Sequence, residues 1–214
     1  MNRITTLDDI RRGADALRAT CPAFQRMHDE AGLPPLRVGS EGFVGLARII
    51  VGQQLSIASA GAIWSRMSKK FDPMTSQRVA RARDTTLKSV GLSAAKIRAL
   101  RAAAASIEAG TLDLTPGAYA TDDDLVAALT AVKGIGPWTA DIYLMFSVAR
   151  PDAFAPGDLA LQVAAQWAFE WQERPDPATL ASGVEHWRPW RGVGARMLWH
   201  YYAHVRARRI ADPV

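Results

Sequence analysis

The stretch LTAVKGIGPWTADIYLMFSVARPDAFAPGDLAL, residues 129–161, places two glycines between two runs with helical spacing. Gly134 and Gly136 permit a tight turn and a close approach to another molecule, since neither has a side chain. Pro137 suits the first turn of the next helix, where its missing N–H costs nothing. Glycine amides beside a helix N-terminus form an anion site, to which Lys133 adds charge. An ordinary turn between two helices fits the same pattern.

An acid, Asp158, stands at the start of a third helical run, directly after Pro156 and Gly157. Such a stiff turn fixes the position of the carboxylate. An aspartate at a helix start is most often an N-cap, whose carboxylate accepts a backbone N–H. From these residues alone, capping is therefore the stronger interpretation, and a chemical role needs further support.

The composition fits a cytosolic protein and is compatible with a polyanionic partner. The 214 residues are 49% hydrophobic, enough for a core, and carry a net charge of +5. The single cysteine, Cys21, excludes an intramolecular disulfide, a cysteine-based zinc site and an iron–sulfur cluster held by four thiolates. The sequence has neither a membrane-length apolar run nor a signal-peptide pattern. We therefore expect a cytoplasmic location, the bacterial nucleoid included.

Helical spacing occurs along the whole chain and strand signals are nearly absent, so we predict an all-α fold. Ser56, Ser93 and Thr121 are expected helix caps. Gly91 and Gly110 are expected to end helices.

The order of the helices predicts two helical lobes with a cleft between them, forming one unit over residues 1–214. The central lobe spans about 41–150 and contains a helix–hairpin–helix at 122–148. The second lobe combines about 1–35 with 151–214.

Several motifs together resemble the DNA glycosylase superfamily named for its helix–hairpin–helix, its Gly/Pro loop and its aspartate. The hairpin is matched by VKGIGPWTADIYLMF, and the Gly/Pro–aspartate element by Pro156-Gly157-Asp158. The segment IIVGQQLSIASA resembles the start of the helix that probes the DNA strand. Two others, VGLSAAKIRAL and WRPWRGVGARMLWHYY, fit the subgroup that acts on alkylated bases, the DNA-3-methyladenine glycosylase II type. The resemblance runs from about Phe24 to Tyr202 and implies a compact form without the amino-terminal α/β domain of larger members.

The resemblance implies that Asp158 is the catalytic carboxylate. Cleavage of an N-glycosidic bond builds positive charge on the sugar, which a nearby carboxylate stabilises. The carboxylate can also orient or deprotonate the attacking water. Alkylated purines such as 3-methyladenine and 7-methylguanine are already cationic, so they leave without a second acid. We therefore expect base excision by base flipping and hydrolysis.

Position 138 separates this chain from the lyase branch of the superfamily. In that branch a lysine stands two residues after the second hairpin glycine and attacks the sugar as an amine. Here the position is Trp138. The resemblance thus implies a monofunctional glycosylase that leaves the strand intact.

Aromatic residues are expected to form the base pocket. The resemblance places Trp138 and Trp199 beside the base, with Tyr143 and Phe24 as weaker candidates. An electron-rich ring attracts a cationic base through stacking and cation–π contact. Core packing is the alternative for each of these rings.

A flipped base leaves a gap in the duplex that a side chain must fill. The segment GQQLS places Gln54 and Leu55 at the junction of two helices, and the resemblance favours Gln54 as the plug, with Leu55 as the alternate. Alternatively, Leu55 belongs to the core and the glutamines are only polar helix-end residues.

Contacts with DNA phosphates are expected at the hairpin and on a basic stretch, residues 69–101. A run of charged residues is usually only a solvated surface. Gly134, Gly136, Lys133 and Lys96 are the predicted phosphate contacts. In relatives, hairpin carbonyls hold a monovalent cation. The matching groups here are the backbone oxygens of Thr130, Val132 and Ile135, which would bind a structural Na+ or K+, and no catalytic cofactor is expected.

The expected partner is double-stranded DNA, bound by a monomer. Two other functions stay open on the sequence. One is a glycosylase for another lesion, such as a deaminated purine or a mismatched adenine. The other is a non-catalytic DNA-binding module, in which Asp158 would be buried or bonded as a helix cap.

Overall fold

The computed structural model describes residues 3–211, and within this range it contains helices, turns and loops but no strand. This confirms the predicted all-α class. The helices are α1 Leu7–Thr20, α2 Pro22–Ala31, α3 Gly42–Gly52, α4 Ile57–Lys70, α5 Ser76–Arg81, α6 Asp84–Ser89, α7 Ala94–Glu108, α8 Asp122–Thr130, α9 Pro137–Ile142, α10 Leu159–Ala168, α11 Pro177–Gly183 and α12 Arg191–Ala211. A π-helical turn, Tyr143–Ser147, continues α9, and a 3₁₀ turn, Glu185–Trp187, lies shortly before α12.

The predicted caps and stops lie at the helix ends. Ser56, Ser93 and Thr121 each accept the backbone N–H of the residue three positions on, at 3.1–3.4 Å. This satisfies one of the N–H groups that have no partner in the first helical turn. Gly91 and Gly110 follow α6 and α7 with φ of +99° and +70°, a conformation that costs glycine little.

The chain divides into two compact units. We call Gly39–Val148 the hairpin unit, and the described parts of Met1–Val38 and Ala149–Val214 the aspartate unit. A cleft between the units stays a prediction.

The core of the hairpin unit is built from α3, α4, α7 and α8. Leu46, Ile50, Met67, Leu100 and Leu129 are fully buried within it. The turn at 132–136 connects α8 to α9, and each of these helices contributes residues to the core, Leu129 from α8 and Ala140 from α9.

The aspartate unit packs α1, α2 and α10 around α12, with Ile10, Leu161 and Leu198 fully buried. The start of α12 lies against a preceding turn. The N–H of Gly192 donates to the carbonyl of Pro151 at 2.7 Å, and a Cβ on Gly192 would lie 2.8 Å from that oxygen. Only glycine allows this approach, so the glycine-rich start of α12 is a packing feature.

Within residues 3–211, no helix combines the length and apolar character that crossing a membrane requires.

Candidate active site

Asp158 is held in a fixed orientation at the start of α10. Its Oδ1 accepts the backbone N–H of Leu161 at 3.0 Å, so it is the N-cap of this helix. Its own N–H donates to the carbonyl of Ala155 at 3.0 Å, which closes the turn through Pro156 and Gly157. The side chain is half-buried. The capping interpretation is therefore confirmed, and it places the carboxylate at one defined position.

A second donor reaches the same carboxylate from a distant part of the chain. Nε1 of Trp199, on α12, donates to Oδ1 of Asp158 at 3.0 Å. An N-cap needs no such bond, because capping uses backbone N–H groups of its own helix. Both donors are neutral, so they orient the carboxylate without neutralising its charge. The structure thus brings together two of the residues that the sequence singled out, separately, as catalytic and base-contacting.

Gly134 is required by packing at the hairpin. Its φ is +91°, and a Cβ there would lie 2.7 Å from Cβ of Ala99 on α7. The hairpin therefore lies directly against α7, and the first hairpin glycine serves the turn and this contact.

Gly136 has a different environment. It is the N-cap residue of α9 with an ordinary φ of −99°, and no atom lies within 4 Å of the position that a Cβ would take. Lys133 beside it is exposed. The space in front of Gly136 is thus open to an approaching group, as the predicted phosphate contact requires.

The junction of α3 and α4 is fixed to the hairpin by an amide side chain. Nε2 of Gln53 donates to Oγ1 of Thr139 at 2.9 Å and to the carbonyl of Gly134 at 3.3 Å. Gln54 follows with φ of +54°, a left-handed conformation that is rare outside glycine. Backbone of this kind persists only where the surrounding structure imposes it.

Both predicted plug residues at this junction are exposed. Gln54 faces solvent, and Leu55 is 40% exposed, so the alternative that Leu55 belongs to the core is wrong. Sequence reasoning missed Ile57, which is 85% exposed at the first position of α4. An apolar residue directly after the Ser56 cap was the available signal.

The four predicted base-contacting rings lie in different environments. Trp138 and Trp199 are half-buried. Phe24 is fully buried and packs edge-on against Trp187, with ring centroids 4.9 Å apart. Tyr143 is 3% exposed, its hydroxyl accepts the N–H of Gly42 at 3.1 Å, and burial raises the pKa of this phenol to about 12. Neither Phe24 nor Tyr143 has a ring face open to a base in this conformation, so both are core residues.

Lys96, the preferred phosphate contact on the basic stretch, has a partner inside the protein. Its Nζ donates to the carbonyl of Val51, in the last turn of α3, at 2.7 Å. Partial burial lowers the pKa of this ammonium group. Lys96 therefore joins α7 to the C-terminal end of α3, a role that the sequence alone did not indicate.

Asp152, another acid in this region, is part of the scaffold. Its carboxylate accepts Nε and Nη2 of Arg191 at 3.0 and 2.9 Å and also pairs with Arg188. This bidentate contact fixes the start of α12, the helix that carries Trp199.

Within residues 3–211, no group of three or more histidine, cysteine or acidic side chains is placed to hold a metal ion. The predicted cation site uses backbone oxygens instead. Of these, the carbonyl of Val132 accepts the N–H of Ile135 at 3.0 Å, and a carbonyl oxygen has a second lone pair.

Comparison with known proteins identifies similar chains. A family model described as "HhH-GPD superfamily base excision DNA repair protein" matches residues 47–189. DNA-3-methyladenine glycosylase 1 of Schizosaccharomyces pombe is 27% identical over 163 residues, which cover 74% of this chain and 72% of that protein. The crystal structure of a DNA-3-methyladenine glycosidase from Bacillus halodurans has 31% sequence identity and a TM-score of 0.74, covering 90% of this chain and 89% of that one.

The Bacillus subtilis protein YfjP, named provisionally as a DNA-3-methyladenine glycosylase, is 32% identical over 93 residues. This match covers 44% of the present chain and 32% of the length of YfjP.

Proposed function

Since the chain belongs to the HhH-GPD superfamily of base excision DNA repair proteins, we propose that it is a monofunctional DNA glycosylase. Its substrates are alkylated purines of the 3-methyladenine and 7-methylguanine class in double-stranded DNA. The observation that carries the proposal is the carboxylate of Asp158, held by the Leu161 N–H and the Trp199 indole. The names of the similar glycosylases from S. pombe and B. halodurans support the substrate class.

The proposed reaction is hydrolysis of the bond between the sugar C1′ and the purine nitrogen. As this bond breaks, its electron pair goes to the base, and a cationic alkylated purine leaves as a neutral molecule. Positive charge develops on the sugar, and the carboxylate of Asp158 stabilises it. Water then bonds to C1′ and loses a proton, for which Asp158 is the proposed acceptor.

Trp199 has two proposed tasks. Its N–H lies in the plane of the ring, so the bond to Asp158 engages the edge of the indole and not its faces. A face of this half-buried ring is proposed to stack on the cationic base. One side chain would thus orient the carboxylate and select electron-deficient bases.

DNA binding is assigned to the hairpin unit. Gly136 and Lys133 are proposed to contact a phosphate, since the space in front of Gly136 is open. Gln54 or Leu55 is proposed to fill the gap left by the flipped base, because both are exposed beside the junction that Gln53 holds. The backbone oxygens of Thr130, Val132 and Ile135 have the chemistry that Na+ or K+ prefers, and such an ion would bridge the hairpin to a phosphate.

The absence of lyase activity is proposed from the side chain at position 138. Trp138 cannot form a Schiff base with the sugar, and in the lyase branch the strand is cut by elimination of a phosphate from that Schiff base. Treatment with borohydride during turnover should therefore trap no covalent adduct with DNA. A trapped adduct would refute this part of the proposal.

The decisive comparison is between wild type and Asp158→Asn on methylated DNA, with the released bases identified by chromatography. Asparagine caps a helix as well as aspartate does, so α10 should form in the variant. Wild type should release 3-methyladenine and 7-methylguanine, and the variant should lose most of this release while still binding DNA. Release at the wild-type rate by the folded variant would refute the proposed role.

A non-catalytic DNA-binding module is the second candidate, because the cap bond from Leu161 to Asp158 is what that function predicts. The bond from Trp199 does not follow from capping and favours the enzyme. Wild type that binds DNA but releases no base from methylated, deaminated or mismatched substrates would support the module. Release of only deaminated or mismatched bases would support a glycosylase but with a different substrate class.

A further inference from the structure

The hairpin unit has a basic groove whose lining residues do not include the hairpin. The groove is about 400 Å³ in volume and lies between the end of α4, the second half of α5 and the start of α6. We define the basic groove by its four cationic lining residues: Lys70, Arg78, Arg81 and Arg83. Phe71, Ala82 and Thr86 complete the lining, and no carboxylate is among the residues of the described chain that line it.

Most of this charge is available to a ligand. Lys70, Arg81 and Arg83 are exposed, and none of the three has an ion-pair partner within residues 3–211. Arg78 differs, because its guanidinium donates to the backbone carbonyls of Asp72 and Pro73. Arg78 is thus bonded to the backbone, while the other three cations line the groove and are exposed to solvent.

Two acidic side chains on α6 and α7 are bonded to other residues. Asp84 pairs with Arg101 at 2.7 Å. Glu108 accepts hydrogen bonds from Ser76 and Gln77 at 3.1 and 3.0 Å. The groove therefore concentrates four cationic side chains on one shallow, open surface, and such a cluster attracts a polyanion more strongly than a single charged side chain does.

Helix α7 separates the basic groove from the hairpin. Gly134 of the hairpin lies against Ala99, whereas Nη2 of Arg101 donates to the carbonyl of Ala82 in the groove lining at 2.8 Å. Residues that are two positions apart on an α-helix, such as Ala99 and Arg101, point in directions about 200° apart around the helix axis. The hairpin and the groove thus lie against nearly opposite sides of α7.

We propose that the basic groove binds the phosphodiester backbone of a second DNA segment, distinct from the segment held by the hairpin. This inference rests on the proposed function for DNA as the polyanion. Arginine side chains bind phosphate through paired N–H donors, and such contacts carry no sequence preference. The consequence is binding of undamaged DNA that does not depend on the lesion site and that weakens steeply with salt.

The test compares wild type with the double variant Arg81→Ala, Arg83→Ala on a long undamaged duplex at several salt concentrations. Loss of two phosphate contacts should lower the slope of log Kd against log salt by about 1.8. The matched control, Arg11→Ala with Arg174→Ala, removes the same charge from exposed positions of the aspartate unit and should keep the wild-type slope. Single-turnover excision from a short duplex, just long enough for one lesion site, should stay at the wild-type rate in both variants.

Three results would overturn the proposal. A wild-type slope in the groove variant would remove the second contact and leave the proposed glycosylase activity in place. An equal decrease of the slope of log Kd against log salt in both variants would show an effect of net charge alone. Slower excision or weaker binding on the short duplex would assign the groove to the lesion-bound segment instead. If wild type releases no base at all, the glycosylase proposal fails, and the slopes on undamaged DNA still decide the role of the groove.

Discussion

At the scale of single residues, the account depends on one oxygen atom of Asp158, which accepts hydrogen bonds from both Leu161 and Trp199. The first bond is local, and the Pro156-Gly157 turn made it predictable from the sequence. The second joins positions 41 residues apart, so only the folded aspartate unit brings the partners together. Capping and catalysis are compatible here, because a capped carboxylate is already oriented before substrate arrives.

Replacement of Trp199 by phenylalanine separates the two tasks proposed for this residue. The ring stays, but the N–H donor to Asp158 is lost. A hydrogen bond to a charged group contributes about 1.5 kcal/mol or more, so we expect the single-turnover excision rate to fall at least about tenfold. Base affinity should change less, because stacking is kept.

The control for this change is Trp167→Phe, in the same unit, whose ring stacks on Tyr202 with centroids 5.4 Å apart. It should leave the excision rate near that of wild type. Equal rates for Trp199→Phe and wild type would show that the indole N–H has no positioning role.

At the scale of elements, the hairpin illustrates two different uses of glycine. The sequence predicted a turn and an anion contact for both positions together. The structure separates them, since Gly134 lies against Ala99 of α7 and Gly136 faces open space.

Two matched alanine substitutions test this division. Gly134→Ala places a side chain at positive φ and against Ala99, and should lower the free energy of unfolding by about 1–3 kcal/mol. Gly136→Ala should change this free energy by no more than about 1 kcal/mol, the cost of alanine at an N-cap position, because no atom lies within 4 Å of the added methyl group. Urea unfolding measures both values.

DNA binding should respond to Gly136→Ala instead. An added methyl group in front of α9 obstructs the proposed phosphate, and affinity should fall by about tenfold for one lost contact. Unchanged affinity in this variant would remove Gly136 from the proposed DNA contact.

The helix ends were predictable from sequence because caps act locally. Ser56, Ser93 and Thr121 each bond within three residues of themselves. Nonlocal roles were not predictable. Periodicity does not distinguish an aromatic pocket wall from a core ring, as Phe24 shows. It also does not reveal that Lys96 bonds to the carbonyl of Val51, on a different helix.

At the scale of the whole molecule, stability in acid is expected to depend on Asp9 in α1. Its carboxylate accepts the N–H groups of Thr5 and Thr6 at 3.0 and 2.8 Å. The backbone N–H of Thr5 is the largest cause of a pKa well below the ordinary value for this carboxyl, followed by the hydroxyl of Thr6. A group with a lowered pKa in the folded state stabilises the fold above its unfolded pKa, and this contribution is lost as pH falls.

The free energy of unfolding should therefore decrease as pH falls below about 4, the ordinary range for aspartate. Asp9→Asn should be less stable than wild type at neutral pH, and the difference between them should shrink in acid. Asp8→Asn, at an exposed surface pair with Arg11, should follow the wild-type pH dependence. A constant gap between wild type and Asp9→Asn at all pH values would contradict this explanation.

The central claim is that the carboxylate of Asp158 acts on the glycosidic bond, and single-turnover excision from a duplex with one alkylated purine tests it most directly. Relative to wild type, Asp158→Asn should retain the free energy of unfolding and the DNA affinity while its excision rate falls by about a hundredfold or more, in line with the loss of one preorganised electrostatic group. An excision rate within about twofold of wild type would contradict the claim. A twofold change is well below the about 1.4 kcal/mol of barrier height that corresponds to a tenfold change in rate.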